Sequence, residues 1–250
     1  MLNLRYLSLV LLSIFVLIGC GSNGDSSVPL TTQKILSGTK TSNLLIMFPG
    51  INSSGSDFID FGFIEPFQEK YNNVDIILVD TRLAYVEAGN ISERIQNEII
   101  VPAYAKGYDN IWLVGVSLGG FSSLLYNRDF AENVNGIVLI APYLGDLYSV
   151  SDLIDHPSPK KWSLDNKNST DRSIRFWRYL LTLTKPNKDN ELKTDLFIAY
   201  GDKDRSSQLH QLLASQIKKE NVYINEDGGH NWISWKPLWI NMLDHKVFNF

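Results

Sequence analysis

Nucleophilic catalysis needs few residue types, and this chain places them tellingly, beginning with Ser117. It sits in Gly115-Val116-Ser117-Leu118-Gly119, a G-x-S-x-G pattern. A serine hydroxyl is a poor nucleophile at neutral pH. It needs a base to take its proton and a third group to fix the tautomer of that base. Five residues recur by chance, so the flanks carry the argument. Asn110-Ile111-Trp112-Leu113-Val114 is an apolar, β-branched run that predicts a buried strand, and Gly120 to Tyr126 are small or apolar and predict a helix packing back on the sheet. Strand, sharp turn and helix make a nucleophile elbow, with glycines beside the serine because a Cβ there would clash with the neighbouring strand and helix. The turn lifts the hydroxyl clear of the sheet at a helix N-terminus, which favours negative charge. The bland alternative is a tight strand–helix turn with an incidental serine.

Behind such an elbow the acid and then the histidine follow in chain order. Phe197-Ile198-Ala199-Tyr200-Gly201-Asp202-Lys203-Asp204 runs a strand into an acidic turn. Asp204 is the candidate acid, Asp202 its reserve, and Asp80, at another strand end, a weaker third. The same turn could simply cap a helix from about Ser206. Of the histidines, His156 precedes the acid, His210 falls in an amphipathic helical pattern, and His245 lies near the C-terminus. His230 follows the final strand in Glu226-Asp227-Gly228-Gly229-His230-Asn231-Trp232, where paired glycines let a loop reach across the sheet edge; it is the candidate general base. Trp232, Trp235 and Trp239 have helical spacing, and core packing is the reading for at least two of them. A tetrahedral oxyanion needs two backbone N–H donors. One is expected at Leu118, directly after the serine. The other is expected at Ile51, with Asn52 or a nearby side chain as alternatives, in Phe48-Pro49-Gly50-Ile51-Asn52-Ser53-Ser54-Gly55.

These residues require a rigid frame. Apolar runs at 43–48, 74–79, 110–116, 136–140, 195–200 and 222–225 predict strands. Helical patterns fall between them at 63–71, 92–106 (with Ser92 as its cap), 206–219 and 237–247. Residues 28–40 are ambiguous, with room for a short edge strand. Continuous β-branched runs alternating with helices imply an α/β fold, a mostly parallel sheet with helices on both faces. Sites then form at the carboxyl ends of the strands, where every candidate above lies. The rhythm breaks over about 145–193, which carries Pro157, Pro159, Trp162, Phe176, Trp177 and Tyr179. A structureless loop that long is suspect, so helices are expected at 149–155 and 170–184. They form either a cap over the site or an insertion that its aromatics pack down.

With 250 residues, 44% of them hydrophobic and 20% charged, the chain can bury one sizeable core, and a formal charge of −4 argues against a nucleic-acid partner. Arg5, then an apolar stretch from Tyr6 to Ile18, reads as a secretory signal. It ends Leu17-Ile18-Gly19-Cys20, which resembles the bacterial lipoprotein lipobox. That resemblance implies cleavage after residue 19 and lipidation of Cys20, the only cysteine of the chain. The expected organisation is a signal peptide over 1–19, a lipidated Cys20 and flexible polar tether over 20–28, and one domain over 29–250. The membrane is then a partner through Cys20. By resemblance to Gram-negative lipoproteins, the absence of Asp directly after Cys20 implies the outer membrane rather than inner-membrane retention if the host is Gram-negative.

With these pieces placed, the chain resembles the α/β-hydrolase superfamily from about residue 43 onward. The ending Gly228-Gly229-His230-Asn231-Trp232-Ile233-Ser234-Trp235 is similar to its esterase D-like and feruloyl-esterase-like branch. The resemblance implies a serine hydrolase of carboxylic esters acting through an acyl-enzyme. Ser117 is its nucleophile, Asp204 its acid, His230 its base, and Leu118 and Ile51 its oxyanion donors; small-molecule or lipid esters are the expected substrates. No metal or organic cofactor is implied. The oxyanion loop reads Phe-Pro-Gly where many relatives have His-Gly, and the N-terminal antiparallel strands look reduced or absent. Lysophospholipase, lipase, thioesterase or peptidase chemistry runs on the same residues, and a non-catalytic surface-binding lipoprotein is the rival from another class.

Overall fold

A computed structural model describes residues 26–183 and 194–250. The expected signal peptide and Cys20 lie outside the described residues, as does 184–193 of the insertion. Seven strands form one sheet in the order β1-β3-β2-β4-β5-β6-β7. They are β1 (Thr32–Ile35), β2 (Asn43–Phe48), β3 (Val74–Val79), β4 (Asn110–Val116), β5 (Gly136–Ile140), β6 (Asp195–Gly201) and β7 (Val222–Asn225). All neighbours run parallel except β1, which pairs antiparallel with β3. The ambiguous N-terminal region thus supplies one antiparallel edge strand.

The inner strands are buried on both faces, which is why they read as nearly continuous apolar runs, with Asp75 of β3 a buried exception. Side chains alternate between two cores. Leu44, Ile46 and Phe48 of β2 face a layer that includes α6 (Leu118–Phe130), while Leu45 and Met47 face α2 (Ile64–Lys70) and α11 (Trp232–Asp244). Short α1 (Asp57–Asp60) and α3 (Leu83–Glu87) follow the loops after β2 and β3.

Helix ends are where sequence and structure part. The helix expected at 92–106 spans α4 (Ile91–Arg94), a π-helical stretch Ile95–Ile100 and α5 (Val101–Ala105). Ser92 is not its cap: Asn90 holds that position and Ser92 is buried in the first turn. The wide turn immediately precedes Pro102, which has no amide to donate into it. The helix expected at 206–219 is the shorter α10 (Ser207–Ala214). Beyond it the Ser215 hydroxyl bonds back to the Leu212 carbonyl at 2.7 Å, competing with the helical ladder. The last helix starts five residues earlier than expected, because the Asn231 side chain accepts from the Ser234 amide at 3.0 Å and caps it. Pro237 lies inside that helix rather than at its start.

The insertion after β5 holds α7 (Ser151–Ile154), α8 (Pro159–Asp165) and α9 (Arg172–Leu183). Helix α8 was not expected, although Ser158 caps it and Pro159 fills its first position. Phe176, Trp177, Leu180 and Leu181 of α9 join the core on the α6 side of the sheet, with Phe176 4.6 Å from Phe121. The aromatics of this segment therefore pack it down onto the body. Among the described residues no helix is long and apolar enough to cross a membrane.

Candidate functional site

Ser117 sits between β4 and α6 with φ 50° and ψ −111°, a backbone region a serine adopts only under constraint. Three hydrogen bonds supply that constraint. Its amide donates to Ile140 O at 3.0 Å, and its carbonyl accepts from Phe121 at 3.1 Å and Tyr143 at 2.9 Å. The flanking glycines are required for space. A Cβ on Gly115 would lie 2.5 Å from Gly119 O, and one on Gly119 would lie 2.1 Å from Phe48 O. The local sequence therefore forces the elbow, and the elbow aims the hydroxyl beyond the sheet's carboxyl edge.

The partners arrive from the ends of β6 and β7. His230 Nε2 lies 2.9 Å from Ser117 Oγ, and His230 Nδ1 lies 2.6 Å from Asp204 Oδ2. The Ser206 amide donates to the other Asp204 oxygen at 2.8 Å, so both oxygens of this buried carboxylate are engaged. Burial alone would raise the Asp204 carboxyl. The hydrogen bonds from His230 and the Ser206 amide, with the charges of His230 and His210, hold it below its ordinary value. A carboxylate so held orients the imidazole, whose other nitrogen faces the hydroxyl. This line of groups can move a proton from serine to histidine as the serine attacks an electrophilic carbon.

Asp202, the reserve acid, does other work. Its carboxylate accepts from the Asp227 amide at 2.7 Å, while the Lys203 amide donates to Gly228 O at 3.0 Å. The acid loop and the histidine loop are thereby clamped together. Space also demands the glycines here: a Cβ on Gly201 would sit 2.0 Å from Gly228 O. Neither Gly228 nor Gly229 has a positive φ; the left-handed residue in the loop is Asp227 at φ 60°. The glycines expected as hinges serve close approach instead. Asp80 is likewise structural, accepting from the Gly55 amide at 2.8 Å.

The loop after β2 passes directly beside the elbow. A Cβ on Gly50 would lie 3.4 Å from Ser117 Cβ, so Ile51, the next residue, borders the site. The Leu118 amide opens α6 and, as a first-turn donor, has no acceptor within its own helix. The other histidines stand apart from the relay: His156 bonds with Ser158 and His245 with Asn241 O. Trp235 and Trp239 are buried, and Trp235 sets its ring edge-on to His230 at 5.0 Å.

Sequence reasoning leaves His210 as a solvated or packed helical residue, and the structure packs it. It is fully buried, lies 2.8 Å by Nε2 from Pro142 O, and packs against Tyr200 at 5.3 Å. Burial pushes its pKa down, opposed by the Pro142 bond and the Asp204 charge. Pro142 precedes Tyr143, whose amide holds the Ser117 carbonyl, so His210 ties the helix after the acid to the elbow's support. Only the apolar face of α10 hinted at its burial. Among the described residues, no cluster of His, Cys, Asp and Glu could hold a metal ion.

No protein-family model matches the chain, and no curated protein sequence matches it. Solved structures do. The S-formylglutathione hydrolase FrmB of Staphylococcus aureus is 15% identical with a TM-score of 0.57, covering 87% of this chain and 90% of its own. Est1E of Butyrivibrio proteoclasticus, solved with ferulic acid, is 15% identical with a TM-score of 0.51, over 87% and 96% of the two chains. The monoacylglycerol lipase of Paleococcus ferrophilus is 14% identical with a TM-score of 0.59, over 88% and 99%. At these identities the likeness establishes the α/β-hydrolase fold, in agreement with the mostly parallel sheet.

Proposed function

We propose that the protein is a serine hydrolase of carboxylic esters. Ser117 attacks the ester carbonyl while His230 takes its proton, and Asp204 orients and stabilises the imidazolium. The Leu118 and Ile51 amides hold the oxyanion. His230 then returns the proton to the leaving alcohol, and water activated by the same imidazole releases the acid from the acyl-enzyme. One observation carries this reading: Ser117 Oγ, His230 and Asp204 form a single hydrogen-bonded line with spacings of 2.9 and 2.6 Å. The named hydrolases of the same fold support it without deciding the ester. Cys20 carries the lipid that anchors the enzyme to the bacterial envelope.

The test is hydrolysis of p-nitrophenyl esters from acetate to palmitate by residues 21–250, beside Ser117→Ala. Turnover that the substitution lowers by about a hundredfold or more supports the assignment. If no ester is cleaved and a fluorophosphonate leaves Ser117 unlabelled, the enzyme reading falls and the surface-binding one takes its place.

A further inference from the structure

The first described residues fix how the domain hangs from its N-terminal segment. Thr32 pairs with Val79, the last residue of β3, and the Asp80 amide donates to Thr31 O at 2.9 Å. Because β1 runs antiparallel, its beginning lies at the carboxyl edge of the parallel strands, the edge that carries Ser117, Asp204 and His230. Going upstream, the chain climbs along the α4 side. The Leu30 amide donates to Glu98 at 2.6 Å, whereas Ser26 O accepts from Arg94, one helical turn nearer the helix start at Ile91. The Tyr85 hydroxyl holds Val28 O between them at 3.0 Å. Asp80 also binds the Gly55 amide, in the loop that borders Ser117. Ser26, the first described residue, thus lies toward the edge of the site.

A second observation concerns the same edge. Large apolar side chains stand in solvent on segments that follow the strands at this edge: Ile51 after β2, Tyr143 and Tyr148 after β5, and Ile233 in the first turn of α11. Phe61 joins them, stacked on Trp232 at 5.1 Å. Tyr148 is 88% exposed and Ile233 82%. Leu36, Val101 and Tyr104 are exposed away from this edge, but the side chains that follow the strand ends here give the rim of the site an apolar contact surface.

We infer that this edge rests on a lipid bilayer, so that the Ser117 site opens at the membrane surface and takes amphiphilic esters from it. The inference rests on the proposed roles of Ser117 and Cys20. Five residues, 21–25, separate Cys20 from Ser26. Fully extended, that span reaches about 20 Å, so a lipid on Cys20 keeps the edge from which Ser26 departs close to the headgroups. The formal charge of −4 points to apolar contact rather than attraction to anionic lipid, so a zwitterionic surface suffices.

The test uses the full chain, purified from membranes and reconstituted into phosphatidylcholine vesicles. An environment-sensitive nitrobenzoxadiazole label is placed on Ile233→Cys or Tyr148→Cys, on two sides of the site. Lys106→Cys, on the opposite edge just before β4, is the control. Label emission at 233 and 148 should shift to the blue and brighten several-fold on reconstitution, while 106 keeps its value in water. Equal behaviour at all positions, or a shift at 106 alone, overturns the orientation. A Cys20 thiol that reacts with maleimide in the unlabelled wild type overturns the proposal at its anchor. The emission readout needs no turnover, so a failure of the esterase reading shows separately, as absent hydrolysis of soluble p-nitrophenyl acetate.

Discussion

Asp204→Asn separates orientation of the base from mere proximity. One Asp204 oxygen accepts the Ser206 amide at 2.8 Å and the other meets His230 Nδ1 at 2.6 Å. Asparagine has one oxygen and one amino group for those two places. With its oxygen on Ser206, its amino group points at His230 Nδ1 and locks the ring in the tautomer whose proton sits on Nε2. That nitrogen faces Ser117 Oγ and can no longer accept from it. With the oxygen turned to His230, the amino group opposes the Ser206 N–H, and an unsatisfied buried donor costs about 1–3 kcal/mol. At about 1.36 kcal/mol per decade, this lowers the competent population roughly 5- to 150-fold.

Loss of the charge that stabilises the imidazolium adds to that. The expected fall in kcat is about 10³- to 10⁴-fold, or about 4–5 kcal/mol. KM should hardly move, since the buried Asp204 side chain contacts His230 and the Ser206 amide rather than the open face of the site. Steady-state kinetics on p-nitrophenyl butyrate, with urea unfolding run alongside, checks both expectations. A loss below about tenfold in a folded variant would refute the argument. So would an equal loss in Asp202→Asn, whose carboxylate holds Asp227 rather than His230.

Gly119→Ala should destabilise by about 3 kcal/mol or more, because its Cβ would sit 2.1 Å from backbone oxygen. Gly38→Ala, at φ +79° in open space, should cost only about 1 kcal/mol of left-handed strain; urea midpoints compare the two. On acidification, His210 makes the fold weaken early. Its folded pKa lies below the ordinary 6.5, so the unfolded chain binds the proton first, and stability is lost as pH falls from 6.5 toward the folded value. Urea midpoints at about pH 7.5 and 5.5 measure that slope around the ordinary histidine value, and His210→Gln should flatten it. Arg94 binds Ser26 O, pairs with Glu98 and lies 4.9 Å over the Tyr85 ring. Arg94→Ala should therefore speed proteolysis of the N-terminal segment and cost about 1 kcal/mol overall.

The frame was legible because two-sided burial is a local property of composition. A parallel strand covered on both faces is apolar at nearly every position, so Asn43–Phe48, Val74–Val79 and Gly136–Ile140 stand out between polar or glycine-rich turns; buried Asp75 is tolerated because the Ser37 amide and the Tyr108 hydroxyl donate to its carboxylate. Ser117, Asp204 and His230 could be found for a related reason, each lying just past such a run. What could not be read depends on where one loop lies against another. Asp202 looks like an acid in its own turn, and only the placement of Asp227, 25 residues on, makes it a clamp. His210 looks like an ordinary helical residue until Pro142, 68 residues earlier, is brought against its ring. Ser92 and Asn231 show the same limit on a smaller scale. Ser92 has the side chain of a cap, yet packing buries it inside the first turn of α4, whereas Asn231 caps α11 with its own side chain.

The distribution of strain points to the same edge without any appeal to chemistry. Five non-glycine residues among those described have positive φ. Asn52, Ser117, Ala141 and Asp227 follow the carboxyl ends of β2, β4, β5 and β7; only Lys246, past the last helix, lies elsewhere. Asn and Asp adopt this region at little cost, but Ser117 at φ 50° and Ala141 at φ 44° each carry roughly 1–3 kcal/mol. Both are held by hydrogen bonds from neighbouring strands, Ser117 to Ile140 O and Ala141 to Ala199 O at 2.7 Å. Glycine at 117 would relieve the strain but discard the hydroxyl. Alanine there would keep the strain with nothing gained. Strain alone does not single out Ser117, since Ala141 carries it too; the proposed nucleophile role rests on the strained turn together with the hydroxyl it holds against His230.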